Sequence, residues 1–149
     1  MLEIRVLEEK DIIAASELAR TTTLDCFSAY FSKQLVAKWV AKNELEAFRK
    51  RTQEIEYFVA DDDGLVGIIG LQNDYVKTFY VSLDRQNEGI GKKLYQHIEQ
   101  IAKERGIVNL NVKANILSIP VYEALGFEKI RMEKRNDGEE FALMQKKII

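Results

Sequence analysis

The sequence predicts a mixed α/β (α+β) fold: a central, mostly antiparallel twisted sheet of about seven strands flanked by about four helices. Three observations lead there. Segments that alternate apolar and polar residues are joined by turns too tight for anything but antiparallel pairing, as at Asp61 to Gly64 and at Asn136-Asp137-Gly138. The amphipathic stretch from Gly91 to Arg105 separates the strands at Phe79 and Leu110 by a connection long enough for a parallel pair. The order of elements is strand, two helices, three strands, helix, strand, helix, two strands.

Each element has its own signal. In "LEIRVL", Leu2, Ile4 and Val6 alternate with Glu3 and Arg5, the period of a half-buried strand, and Asp11 stands near the start of a helical stretch holding Ile12, Ala15 and Ala19. "TTTLDCFSAYFS" reads as an aromatic, turn-rich connection, after which Ser32 can cap a helix carrying Leu35, Val36, Trp39 and Val40. "EYFVADDDGLVGIIGL" gives two strands around an acidic turn closed by Gly64, and "VKTFYVSL" gives another. Leu94, Ile98, Ile101 and Ala102 recur at helical spacing, with Gly106 placed for a left-handed C-cap. "IVNLNV" alternates Val108, Leu110 and Val112 as a strand. "NILSIPVYEAL" reads as a short helix capped by Asn115, which Pro120 either kinks or delays until about Ile119. Two final strands flank the Asn136-Asp137-Gly138 turn.

The bulk properties exclude several classes. At 149 residues and 46% hydrophobic content the chain has the size of one domain, 1–149, with enough apolar material for a core. Lys+Arg number 22 against 24 Asp+Glu, so no general attraction to nucleic acid or an anionic membrane is expected. Cys26 has no partner for an intramolecular disulfide, no apolar run reaches membrane-span length, and "MLEIRVLEEKD" lacks a signal-peptide pattern; a cytoplasmic protein is expected.

The stretch "RQNEGIGKKLYQHI" from Arg85 has the form of a phosphate-binding loop entering a helix. It is not a Walker loop, because Gln86 stands at the first glycine and Lys93 where Ser or Thr would be needed. It is not a dinucleotide fingerprint, because Leu94 replaces the third glycine. What remains is a glycine-containing turn feeding a helix N-terminus, where amides without partners and the helix dipole favour an anion such as pyrophosphate. Taken alone, these glycines could simply make a turn, and Lys92 and Lys93 could be ordinary solvated helix residues.

"FYVSLDRQNEGIGKKLYQHIEQIAKERG" followed by "NVKANILSIPVYEALGFEKI" resembles the GCN5-related N-acetyltransferase superfamily (GNAT) over nearly the whole chain. One motif of that family is matched by Gln86-Asn87-Glu88-Gly89-Ile90-Gly91, and a second by Asn115, Ser118, Tyr122 and Gly126-Phe127. The resemblance implies an acetyl-coenzyme A cleft between splayed parallel strands at Phe79 and Leu110. Main-chain groups of Phe79, Tyr80 and Val81 would pair with the pantetheine arm, and amides from Gln86 to Lys92 would hold the pyrophosphate, with Asn115, Ser118 and Tyr122 completing the cofactor site. A β-carbon at Gly89 or Gly91 would keep phosphate oxygens from those amides.

The implied reaction is attack of a neutral primary amine on the thioester, with coenzyme A leaving as thiolate. The resemblance assigns the carbonyl oxygen to a backbone amide, that of Val81, and the leaving sulfur to Tyr122. No general base is assigned: Asn111 stands where some relatives carry glutamate, which counts against a close ribosomal-protein N-terminal acetyltransferase, and Asp74, Tyr75, Tyr80, Asp84 or an ordered water are open candidates. His97 reads as a surface or boundary residue and Cys26 as a small buried or half-buried one. Phe27, Tyr30, Phe31 and Trp39 divide between core and acceptor-pocket readings. No metal is expected. The acceptor is expected to be a small-molecule amine, the alternatives being a noncatalytic acyl-coenzyme A binder or a protein N-terminal or lysine acetyltransferase. A homodimer is compatible with the reading, although nothing in the sequence sets the oligomeric state.

Overall fold

The computed structural model describes all of residues 1–149. Its elements are β1 (Glu3–Val6), α1 (Ile12–Phe27), α2 (Lys33–Lys42), α3 (Leu45–Arg51), β2 (Glu56–Asp61), β3 (Leu65–Gln72), β4 (Tyr75–Val81), α4 (Ile90–Glu104), β5 (Asn109–Ala114), α5 (Ile119–Ala124), β6 (Glu128–Lys134) and β7 (Glu140–Lys147). The seven strands form one open mixed sheet in the order β1-β2-β3-β4-β5-β7-β6, whose parallel pair is β4 with β5. Two compact units divide the chain: Met1–Gln72 with Lys77–His97, and Asn73–Val76 with Ile98–Ile149.

In the first unit, β1, β2 and β3 run antiparallel, and Ile12, Ala15 and Leu18 of α1 bury against Phe48, Ile55, Tyr57, Val59 and Ile68. The start of α4 lies close to the sheet because β3 offers Gly67 there: a β-carbon at that position would stand 2.8 Å from Leu94 Cδ1. In the second unit, β7 pairs antiparallel with both β5 and β6, and Leu110, Val112 and Ala114 alternate into the core. Glu99 of α4 and Lys146 of β7 form an ion pair at 2.7 Å.

Several sequence expectations are corrected. Thr21 to Phe27 is not a turn but the last two turns of α1, where the Thr23 hydroxyl donates to the Ala19 carbonyl at 2.7 Å inside the core. Helical hydrogen bonding absorbs a hydroxyl that, read locally, favours turns. α3 went unread because only Phe48 of its seven residues is buried, too few apolar positions to set a period. Val6 and Val108 are 61% and 47% exposed, so strand alternation fails at the ends of β1 and just before β5. Asn115 does not cap α5; its Oδ1 accepts from the amides of Leu117 and Ser118, both at 3.0 Å, in a turn ahead of the helix. Ser118 holds the N-cap position, and Pro120 sits in the first turn, where its missing donor costs nothing. Ser32 does cap α2, accepting from the Leu35 amide at 3.1 Å.

Asp11 is not a side-chain cap for α1 either. Its carboxylate takes both Nη atoms of Arg5, at 2.7 and 3.0 Å, and the Glu8 amide at 2.8 Å, while Arg5 also reaches Asp61 at 2.9 Å. One guanidinium thus ties β1, the entry to α1 and the end of β2. The hydrogen bonds from Arg5 hold the Asp11 carboxyl below its ordinary value. A folded-state pKa below the unfolded value of about 3.9 makes this contribution fully present above that value and lost as pH falls through the folded value. Asp11→Asn is expected to lower stability at pH 7 by about 2 kcal/mol and to flatten the loss of stability below about pH 4. Denaturant unfolding of the parent and variant at pH 7 and pH 3 checks both.

Candidate functional site

The site begins with a fault in β4. Thr78 sits in mid-strand with φ of 51°, a left-handed conformation that a β-branched residue adopts only under constraint and that interrupts the pleat. Arg51, at the C-terminal end of α3, donates to Thr78 Oγ1 at 2.8 Å, and the Tyr57 hydroxyl lies 3.3 Å from the same oxygen. Arg51 also donates to Asn43 Oδ1 at 3.2 Å, and Asn43 Nδ2 donates to the Trp39 carbonyl, so the kink is tied to the turn between α2 and α3. Burial pushes the Tyr57 phenol up from its ordinary value, so the hydroxyl stays protonated. None of Thr78, Arg51 and Tyr57 was singled out from the sequence, and a separation of 27 positions between Arg51 and Thr78 left no local signal to find the pair.

Beyond the kink, Phe79, Tyr80 and Val81 lead through a short turn, Leu83–Arg85, into the loop before α4. Gln86, the first residue of the motif, donates its side-chain amide to the Val81 carbonyl at 3.1 Å and lies 3.5 Å from Cys26 Sγ. That fastens the loop to the end of β4. Arg85 donates to both oxygens of Glu88, at 3.0 and 3.2 Å, and to Asp62 at 2.8 Å, holding the Asp62 carboxyl below its usual range. Glu88 is thereby neutralised at the place where an anion would approach. The Arg85–Glu88 pair has a readable spacing of three residues; the Asp62 partner does not.

The first bond within α4 runs from the Lys93 amide to the Gly89 carbonyl at 3.1 Å. The amides of Ile90, Gly91 and Lys92 therefore precede any helical acceptor and gather at the positive end of the dipole. The two glycines have different physical reasons. Gly89 has φ of 83° and open space where a β-carbon would go, so the backbone conformation demands it. At Gly91 a β-carbon would meet Phe79 and Val81 at 3.4 to 3.7 Å, which is ordinary contact within the protein, so the fold itself does not demand glycine there. Asn87, also at positive φ of 67°, completes the turn, and Lys92 and Lys93 stand exposed at its rim.

The remaining candidates fall in the second unit or outside the loop. Tyr122 is only 7% exposed and packs edge-on against Phe127 at 5.5 Å. Asn115 and Ser118 shape the turn before the helix that carries it. Asn111 is engaged, its Oδ1 accepting from Gln145 at 3.0 Å and its amide donating to the Asp74 carbonyl at 2.8 Å. Phe27, Phe31 and Trp39 interlock edge-on at 4.9 to 5.7 Å, whereas Tyr30 is 71% exposed. His97 packs against Phe58 at 5.0 Å as a boundary residue.

A GNAT acetyltransferase domain model matches residues 27–148, and the chain belongs to that family. It is an N-acetyltransferase by family and fold. A GCN5-related N-acetyltransferase structure from Rhodopseudomonas palustris aligns with a TM-score of 0.90 at 18% identity, covering 97% of this chain and 94% of that one. PaiA N-acetyltransferase from Thermoplasma acidophilum, solved with coenzyme A, aligns at 0.80 with 24% identity over 99% of both chains. The ribosomal-protein-S18-alanine N-acetyltransferase of Escherichia coli aligns at 0.74 with 21% identity, covering 99% of this chain and 94% of that one.

Gly89→Ala is expected to cost about 1 kcal/mol through its positive φ, whereas Gly91→Ala, inside the first turn of α4, should match or slightly exceed the parent in stability. Melting temperatures of the two variants, side by side, check the distinction.

Proposed function

We propose that the protein transfers the acetyl group of acetyl-coenzyme A to a primary amine of a small molecule. What carries the reading is the loop before α4: three amides without helical acceptors, a neutralised Glu88 and an anchored Gln86 make a cradle whose polarity suits an anion such as pyrophosphate. The family membership and the coenzyme A bound by the Thermoplasma acidophilum relative support the same ligand. Main-chain groups of Phe79, Tyr80 and Val81 would hold the pantetheine arm, and Gln86, Asn87, Glu88, Gly89, Ile90, Gly91 and Lys92 the phosphates, with Asn115 and Ser118 as further cofactor contacts.

In the reaction the amine nitrogen bonds to the acetyl carbon, the carbon–sulfur bond breaks, the amine loses a proton and coenzyme A leaves as thiolate. The Val81 amide would donate to the carbonyl oxygen as charge builds on it. Tyr122 would hydrogen-bond the departing sulfur. A phenol near pKa 10 is a weaker acid than a thiol near 8.5, so full protonation of a finished thiolate is uphill by about 2 kcal/mol. The benefit of Tyr122 therefore belongs to the transition state.

Tyr122→Phe keeps the ring and its packing on Phe127, and kcat is expected to fall about 10- to 1,000-fold with the melting temperature and acetyl-coenzyme A affinity little changed. Rates within twofold of the parent, with chemistry limiting, would remove Tyr122 from the mechanism. Gly91→Val, which adds bulk at the cradle, should weaken acetyl-coenzyme A binding at least tenfold, about 1.4 kcal/mol, in a folded protein. Amine-dependent thiol release across a broad amine panel tests the activity itself; calorimetric binding of the cofactor with no thiol release would instead establish an acyl-coenzyme A binder.

A further inference from the structure

Glu88 puts a negative charge into a loop whose amides favour an anion. It lies two residues before α4, and a carboxylate is drawn to a helix start by the same dipole that draws a phosphate. Left free, it would occupy the amides of Ile90, Gly91 and Lys92 or repel the anion approaching them. In the structure it does neither. Both of its oxygens accept from Arg85 Nε, at 3.0 and 3.2 Å, and it bonds to no amide of the loop and to no other side chain. Lys92 and Lys93, close by in the first turn of α4, stand exposed and pair with no carboxylate.

A second carboxylate sets the direction of Arg85. Asp62, in the turn between β2 and β3 and 23 positions earlier in the chain, accepts from Arg85 Nη2 at 2.8 Å, which turns Nε toward Glu88. The other oxygen of Asp62 has the Met1 ammonium at 3.4 Å, so Asp62 has two cations about it whereas Glu88 depends on Arg85 alone. Glu88 is exposed and Arg85 half-buried, and ion pairs of this kind add little to the stability of a fold. Their consequence falls on the next charge to arrive.

We infer that Arg85 is a positioning residue for the cofactor's pyrophosphate, holding the Glu88 carboxylate off the amides of the loop, and that Asp62 aims Arg85 to do so. The inference rests on the acetyl-coenzyme A reading and assigns a control on that same site. Arg85 is then not itself a phosphate ligand: its Nε and one Nη are committed to carboxylates, and the phosphates are left to the main-chain amides. A turn outside the loop thereby governs how strongly the loop holds an anion.

The test is calorimetry with coenzyme A as the probe, on the parent, Arg85→Gln, Glu88→Gln and the double variant, with melting temperatures read alongside. Arg85→Gln, which frees Glu88, is expected to bind at least about tenfold more weakly than the parent. Glu88→Gln removes the competing charge, keeps its amide and should bind more tightly. The double variant, lacking both charges, should return to within about threefold of the parent. Dephospho-coenzyme A, which keeps the pyrophosphate and lacks the ribose 3′-phosphate, should give the same pattern. Asp62→Asn should weaken binding at least about threefold in the parent and not in the Glu88→Gln background. A double variant as weak as Arg85→Gln would overturn the inference, because removing Glu88 restores neither a lost phosphate ligand nor a lost brace of the loop. Unchanged binding by Arg85→Gln, or a loss confined to coenzyme A and absent with dephospho-coenzyme A, would overturn it too. Tighter binding by Asp62→Asn would remove the aiming role of Asp62. A folded parent that binds no coenzyme A would remove the cofactor reading itself, and the inference with it.

Discussion

The left-handed kink at Thr78 is the constraint on which the rest of the site depends. A threonine at positive φ costs on the order of 1–3 kcal/mol, and it persists only where neighbours over-determine it. Here the neighbours are Arg51 and Tyr57, one from the end of α3 and one from β2, both bonded to the same hydroxyl oxygen. A β4 that continued its pleat without interruption would deliver Phe79, Tyr80 and Val81 in a different register to the loop that follows. The helices between β1 and β2 thus do more than cover the sheet: through Asn43 and Arg51 they fix the shape of the strand that leads to the loop before α4.

The anion cradle proposed for that loop follows from simple electrostatics. A helix start leaves amides unpaired, and the loop before α4 keeps them so by bending at Asn87 and Gly89, both at positive φ. Its two ionised residues cancel, since Arg85 is committed to Glu88 and Asp62. Attraction for an anion then comes from oriented main-chain dipoles, with Lys92 and Lys93 at the exposed rim, and not from a buried cation. Such a site is insensitive to most side-chain changes and sensitive to backbone conformation, which is why its sequence signature is so sparse.

Alternation, turn residues and one long amphipathic period were enough to read seven strands, the parallel pair flanking α4 and the start of α5 near Pro120, because these depend on interactions within a few residues. The motif from Gln86 to Gly91 was legible for the same reason: a helix start and a left-handed turn are local. α3 was not legible, since one buried Phe48 sets no period, and the continuation of α1 through three threonines was hidden by residues that favour turns in isolation. What only the tertiary structure decided is the pairing of distant polar groups. Arg51 with Thr78 and Arg85 with Asp62 join segments that no sequence period connects, and hydrogen bonds and charge act across whatever distance the folded chain brings together.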